Sequence, residues 1–222
     1  MIRTALIILS FLTTALISSA QNPTTTYPYL YDNFLEGTVV MDGGARQTRS
    51  MNIHLRQGAL HYIDNGIVRE AFLHDVMAVE IASDIFVPYD GRMYRVVAKN
   101  ENGVVAEEIS GDFDAALESE GAYGIAASTS ATMKLSSVQT DSQVNQNYMN
   151  ILNEKESGMS LPVVKSLWLI SPSIKVKAAR KDVGGIIPED RLADWKAFQK
   201  KNKIKWKNPD HLLMVLDYIV SL

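Results

Sequence analysis

The chain has 222 residues, of which 46% are hydrophobic, with a formal net charge of −3 and no cysteine. The lack of cysteine excludes disulfides, a cysteine nucleophile and cysteine-ligated zinc. A chain of this length forms one or two domains and can bury roughly 70% of the surface that its unfolded state exposes.

The first twenty residues have the pattern of a secretory signal peptide. Arg3 precedes an apolar run from Ala5 to Ile17, and Ser18–Ala20 supplies the small residues of a cleavage site. The run of 13 residues is shorter than the about 20 that a membrane span needs, although a retained N-terminal anchor is the alternative. We therefore predict a signal peptide over residues 1–20 and an exported protein, periplasmic or secreted, without a transmembrane segment after cleavage.

Residues 21–35 are predicted to form a flexible, aromatic leader. Its first part, from Gln21 to Thr26, is polar. Its second part holds a group of aromatic side chains, Tyr27, Tyr29, Tyr31 and Phe34. Such a group favours a strap packed across a sheet, with an exposed recognition surface as the alternative.

Residues 36–180 are predicted to form an antiparallel β body. Short β-rich runs are separated by Asp42-Gly43, Asn65-Gly66, Asp90-Gly91 and Asn102-Gly103. These dipeptides supply the positive φ angles of hairpin turns, and the connections are too short for the crossover helices of a parallel sheet. We expect a mainly β (α+β) protein with an antiparallel meander, arranged as a curled sheet, a sandwich or a barrel. Residues 114–160 give a weaker pattern, compatible with another hairpin and a short helix or loop.

Residues 181–222 are predicted to hold two helices packed on the body. Pro188 starts the first helix, whose acidic start and lysine-rich end suit the helix dipole. Asn208 is a good N-cap for the second, with Pro209 at the first helical position. A helix of this length is marginal alone in water, so it must dock on the chain itself or in the groove of a partner.

Two histidines and a glutamate among the predicted strands form a candidate metal site. If Gln57-Gly58 and Asn65-Gly66 are both two-residue hairpin loops, His54 faces His61, and His61 faces Glu70. Such a group could hold zinc or iron and leave positions open for water or substrate.

The alternative reading of the same residues is structural. The metal site needs both registers to be right, since a slip of one residue turns a strand's side chains to the other face of the sheet. The face of His61 also carries Ile63, Val68 and Phe72 and could be the buried face, with His61 satisfied by a hydrogen bond. Alternatively the opposite face, with Ile53, Leu55, Leu60 and Tyr62, is the core, and His54 and His61 are partly exposed, with Glu70 as a cross-strand charge partner. His74-Asp75 in the following turn either joins the cluster or caps the turn.

Charge is distributed unevenly along the chain. Lysine and arginine against aspartate and glutamate give a balance of −10 from Gln21 to Ser160 and +6 from Leu161 to Leu222. The two halves can neutralise each other, or the basic half can bind an anionic surface or a partner. The candidate residues for such binding are Lys175, Lys177, Arg180 and Lys181. Nucleic acid is not a predicted partner, because the chain is acidic and has no nucleic-acid motif.

Motifs of common enzymes do not occur in the sequence. It contains no Gly-x-Ser-x-Gly, Ser-x-x-Lys or His-Glu-x-x-His, and "DVGGIIP" lacks the lysine and spacing of a phosphate-binding loop. We therefore predict no catalytic residues and no cofactor.

Two stretches carry a resemblance to a known group of proteins. The first, "YLYDNFLEGTVVMDGGARQTRSMNIHLRQGALHYID", resembles the opening of uncharacterised exported proteins of Bacteroidota-type bacteria. The tail, "KAARKDVGGIIPEDRLADWKAFQKKNKIKWKNPDHLLMVLDYI", is similar to their lysine-rich, two-helix end. The resemblance implies a location in the cell envelope and a β-rich body with a helical C-terminus, and it assigns no residue a role.

Three functions follow from these observations. The first is a soluble, non-enzymatic envelope protein that binds a ligand or an assembly partner through the β body or the basic tail. The second is a metal-dependent enzyme that uses His54, His61 and Glu70. The third is a binder of anionic surfaces through the basic C-terminal region. The sequence identifies neither the ligand nor the oligomeric state.

Overall fold

The computed structural model describes residues 24–26, 28–112, 145–147 and 160–222, which form one antiparallel sheet and three α-helices. The strands are β1 (Thr24–Thr26), β2 (Leu35–Met41), β3 (Arg46–His54), β4 (Ala59–Asp64), β5 (Ile67–Glu70), β6 (Val76–Ile81), β7 (Asp84–Tyr89), β8 (Arg92–Lys99), β9 (Val104–Gly111), β10 (Asn145–Asn147), β11 (Ser160–Ile170) and β12 (Lys175–Lys177). The helices are α1 (Arg180–Ile186), α2 (Leu192–Asn202) and α3 (Pro209–Val220).

The sheet joins two meanders. The strand order is β1-β11-β9-β8-β7-β6-β2-β3-β4-β5-β10, and β12 pairs with β11. Strands β2 to β5 form one meander and β6 to β9 the other, but β6 pairs with β2 and not with β5. The predicted antiparallel, mainly β fold is confirmed, and the connection from β5 to β6 must cross the intervening strands.

The sheet curls without closing. Strands β3 and β8 are separated by three other strands, yet the N–H of Met93 on β8 donates to Gly58 O, after β3, at 2.8 Å. Farther along, the N–H of Gly111 donates to Leu55 O at 3.1 Å. One face of the sheet is therefore the inside of a curl, and Met51, Val79 and Phe86 are buried there.

Predicted turn dipeptides fix several hairpins. Asn65 and Gly66 have φ values of 51° and 77°, and Asp90 and Gly91 have 47° and 74°. Two successive positive φ angles match the right-handed twist of the flanking strands. The turns β4–β5 and β7–β8 are therefore the tight hairpins that the sequence predicts.

The helices cover one end of the inner face. Leu212 and Leu216 of α3 are fully buried against Val105 and Leu169 of the sheet. Asp217 accepts hydrogen bonds from the side-chain amides of Asn100 and Asn102, at 2.7 and 2.8 Å. This packing explains why a helix that is marginal in isolation is stable here.

The two predicted helices are present, and a third precedes them. Asn208 caps α3, because its side chain accepts from the N–H groups of Asp210 and His211. A 3-10 turn at Glu189–Arg191 follows Pro188, so α2 begins later than predicted. The extra helix, α1, was not predicted because two glycines, which disfavour helix, lie within it; its Val183 is fully buried.

Several sequence predictions lie outside the described residues. These are the signal peptide over residues 1–20 and most of the segment 114–160, of which only β10 and the first residue of β11 are described. Among the described residues, no helix is long and apolar enough to cross a membrane.

Candidate functional site

Strands β3, β4 and β5 present two different surfaces, because successive side chains on a strand point to opposite faces. Met51 and Leu60 point into the curl, where they are buried. His54, His61 and Glu70 point to the outer face. Each face of these three strands is therefore a separate candidate site.

The sequence predicted the wrong register for the first histidine pair. Residues Leu55–Gly58 form a longer turn than the two-residue loop that was assumed, so His54 pairs with Ala59 and not with His61. The shift is two residues, which keeps both side chains on one face. The two imidazole rings stack with centroids 5.1 Å apart, and the predicted pairing of His61 with Glu70 is confirmed.

Both histidines are buried against the side chain of Tyr29 in the leader. Tyr29 is 4% exposed, His54 3% and His61 7%. The Tyr29 ring packs edge-on against both imidazoles, and its Oη lies 2.8 Å from His61 Nδ1. The backbone of residues 28–30 also pairs with β3, since Leu55 N donates to Pro28 O and Leu30 N donates to Ile53 O. Over these residues the leader does not cross the sheet as a strap: it lies beside β3 as an added antiparallel segment, with Tyr29 opposite His54.

Burial sets the protonation state of this pair. Burial lowers the pKa of His61 to about 4. Burial, the neighbouring His61 and the charge of Arg56 lower the pKa of His54 to about 3. Tyr29 Oη is hydrogen-bonded to His61 Nδ1, and Glu70 Oε2 lies 3.8 Å from His61 Nε2, beyond hydrogen-bonding distance. Both imidazoles are neutral at pH 7.

The metal hypothesis gains no support from this geometry. The two imidazole planes are inclined by 27° and stack face to face, so their nitrogens do not converge on one point. No group of three His, Asp or Glu side chains is placed to hold a metal in the part of the chain that the structure describes. His74 is 96% exposed and contacts its neighbour Asp75 at 3.9 Å, away from the cluster.

The inner face of the same strands holds an open cleft. Its volume is about 240 Å³, and its lining is mainly apolar. The floor and walls come from four strands and the β5–β6 connection. The lining residues are Val39, Met41, Gln47, Arg49, Met51, Leu60, Tyr62, Ala71, Phe72 and Val76.

The β5–β6 connection, residues 71–75, forms one side of this cleft. Strands β5 and β6 are four strand spacings apart, a distance of about 19 Å in a flat sheet. Five linking residues reach at most about 18 Å when fully extended. The connection includes a turn, so the sheet must curl beneath it. Ala71 N donates to Leu60 O at 2.8 Å and Asp75 O accepts from Asp42 N at 2.7 Å, which ties the connection to β4 and to the end of β2.

Phe72 stands at the mouth of the cleft with 94% of its surface exposed. Burial of a phenylalanine side chain stabilises a protein by roughly 1.5–3 kcal/mol. Phe72 does not gain this stabilisation because its side chain is exposed, whereas Met51 and Leu60 on the floor of the cleft are buried. The cleft is thus an apolar site that is closed beneath and open above.

A network of hydrogen-bonded and charged side chains lies deeper on the inner face. Tyr31 Oη donates to Asp84 Oδ2 at 2.7 Å, and burial together with this bond raises the pKa of Tyr31. Arg95 contacts both Asp84, at 3.6 Å, and Glu107. Lys165 Nζ lies 3.9 Å from Glu107. These charges neutralise one another and fasten the leader to β7 and β8.

Lys175, a predicted anion-binding residue, is held within the protein. Its Nζ lies 4.9–5.2 Å from the ring centroids of Tyr89, Tyr94 and Trp168, and 3.4 Å from Asp90 Oδ2. Three rings around one ammonium group form a cation–π cage. Lys175 therefore attaches β12 to the outer face of the sheet.

The other predicted basic residues have a different environment. Lys177, Arg180 and Lys181 are exposed on β12 and α1. Three of the four predicted residues therefore remain candidates for binding an anionic surface, and Lys175 does not.

No protein-family model, curated protein or solved structure matches this chain. The resemblance to exported Bacteroidota-type proteins accordingly stays a prediction. Function must be inferred from the geometry of the described residues.

Sequence reasoning did not identify the cleft. Its residues come from three strand pairs and a connection, and no motif joins them. The one signal in the sequence was the stretch "AFLHD" after β5, where apolar residues continue beyond the end of the strand.

Proposed function

We propose that this protein is an exported, non-enzymatic binding protein that takes an apolar group into the cleft on the inner face of its sheet. The observation that carries the proposal is the cleft itself, which combines a buried apolar floor with the exposed Phe72 at its mouth. Pockets for small ligands are concave and mostly apolar, with a few polar groups that orient the ligand.

The placement of the acid–base groups supports binding over catalysis. His54 and His61, which could transfer protons near neutral pH, lie on the opposite face from the cleft beneath Tyr29. Their lowered pKa values also move them away from the range that general acid–base catalysis at neutral pH favours.

Export is part of the same proposal and rests on the signal-like sequence of residues 1–20. Intact-mass measurement on protein isolated from the native host tests it. A chain that begins at Gln21 is expected. A chain that still begins at Met1 and fractionates with the cytosol would overturn this part.

Fluorescence titration with N-phenyl-1-naphthylamine, a neutral apolar probe, tests binding in the cleft. We expect saturable binding, and we expect Phe72→Ser to weaken it about threefold to tenfold, because a ligand-covered phenylalanine contributes part of its burial free energy. Met77→Ser is the matched control, since Met77 is 58% exposed and does not line the cleft. Equal loss in both variants, or no saturable binding, would contradict the proposal.

A further inference from the structure

The cleft has a polar end and an apolar end. Gln47, Arg49 and Met51 follow one another on the inner face of β3, and only the first two are exposed. Two residues along a strand span about 7 Å, so the Arg49 guanidinium lies within reach of a ligand whose apolar part contacts Tyr62, the partly exposed cross-strand partner of the buried Met51. Gly37 on β2 is the cross-strand partner of Arg49. The Met51 side chain fills the space that a side chain at Gly37 would need, since a Cβ on Gly37 would lie 2.9 Å from Met51 Sδ.

The charge of Arg49 is not neutralised within the described chain. No carboxylate lies within 4.0 Å of its guanidinium group among the described residues, and its Nη1 donates to Thr48 O at 3.2 Å. By contrast, Arg46 on the same strand pairs with Glu80 at 2.7 Å, and Arg69 pairs with Asp64 at 3.0 Å. The cleft therefore presents one positive charge, in a chain whose net charge is −3.

The volume limits the size of the ligand. The cleft volume is about 240 Å³. This is smaller than the pockets that hold drug-sized ligands, which run from about 300 to 1,000 Å³. The volume therefore favours a single short alkyl chain over two acyl chains or the apolar face of a partner helix.

We propose that the cleft binds a small free amphiphile, with a single short alkyl chain over Tyr62 and Ala71 and an anionic head group on Arg49. This inference rests on the proposed function and adds the class of ligand. Phe72 closes over the alkyl chain at the mouth. Arginine suits the head group because its planar guanidinium donates two parallel hydrogen bonds to a carboxylate or a phosphate.

Calorimetric titration of the whole chain with octanoate and with octan-1-ol tests the charge preference. The two probes share the chain and differ in the head group. We expect octanoate to bind about tenfold more tightly than octanol, the usual advantage of a hydrogen bond to a charged group. Arg49→Gln should remove that preference and leave octanol binding unchanged, while Arg49→Lys should keep part of it.

Arg46→Gln is the matched control, because Arg46 lies on the same strand but faces the opposite side, where it pairs with Glu80. It should leave both affinities unchanged. Sedimentation with vesicles of dioleoylphosphatidylglycerol separates a free amphiphile from a membrane lipid, and no binding to vesicles is expected.

The possible failures are distinguishable. If octanol and octanoate bind equally well in the unmodified chain, or if Arg49→Gln weakens both, the head-group assignment is wrong and the proposed function survives. If neither probe nor N-phenyl-1-naphthylamine binds, the proposed function fails as well. Vesicle binding that octanoate does not compete away would overturn the assignment to a free ligand.

Discussion

The two ends of the inner face differ in how their apolar residues are covered. At one end, α3 packs on the sheet, and Leu216 and Leu169 are fully buried. At the other, the leader residues Leu30 and Tyr31 and the short β5–β6 connection cover part of the sheet, but the cleft between them is open and Phe72 is 94% exposed. The same alternating strand pattern yields a sealed core at the first end and an open cleft at the second. Stability should therefore depend mainly on the helix-covered end, and binding on the cleft.

The largest effect is expected from truncation in the helix-covered core. Leu216→Ala should lower the free energy of unfolding by roughly 2–5 kcal/mol, because it removes buried methyl groups and leaves a cavity. Phe72→Ser in the cleft should change it by less than about 0.5 kcal/mol, as for an exposed position. Urea unfolding followed by circular dichroism gives both values. Similar losses in the two variants would remove the distinction between the two ends.

An intermediate effect is expected from acidification, which tests whether the outer face behind the cleft is sealed. His54 and His61 have folded-state pKa values of about 3 and about 4, against about 6.5 in the unfolded chain. Between these values the unfolded chain binds more protons, so the free energy of unfolding falls as pH decreases from about 6.5 and the effect levels off near pH 3. At pH 5, each histidine should lower the free energy of unfolding by about 2 kcal/mol.

Urea midpoints at pH 7, 6 and 5 measure this dependence. The double variant His54→Gln/His61→Gln should lose most of the slope between pH 7 and pH 5, where most carboxylates stay ionised. His74→Gln should keep it, because His74 is 96% exposed. An unchanged slope in the double variant would show that the Tyr29 side chain does not seal the pair from water.

The smallest effect is expected where β12 meets the sheet. Lys175→Met should lower the free energy of unfolding by about 0.5–2 kcal/mol, because it removes the ammonium group from the three-ring cage. Lys177→Met, two residues along the same strand and exposed, should change it by less than about 0.5 kcal/mol. Chemical unfolding of both variants under identical conditions makes the comparison. Equal values would show that the cage contributes nothing measurable to this end of the sheet.

Local signals predicted much of the fold. The dipeptides Asn65-Gly66 and Asp90-Gly91 mark turns because they accept positive φ angles, and Asn208 marks the start of α3 because its side chain satisfies free N–H groups. Each of these signals is contained in a few neighbouring residues. The extra helix α1 was missed because its stability comes from the burial of Val183 and not from helix propensity.

The candidate site was less predictable. His61 and Glu70 were paired correctly because a two-residue turn fixes their register. His54 was placed two residues out of register because the length of the Leu55–Gly58 turn cannot be read from its glycine alone. The cleft could not be predicted at all, since it exists only where the β5–β6 connection crosses strands that lie before it in the sequence.

The sequence by itself determined most of the strands, the two last helices, the tight turns at Asn65-Gly66 and Asp90-Gly91, and which side chains alternate toward one face. These properties follow from backbone geometry and from hydrophobic period, and both act over a few residues. Only the tertiary structure decided that the histidines are sealed by Tyr29 and that the apolar face stays open at Phe72. Burial depends on which distant segments cover a face, and that is set by the curl of the whole sheet.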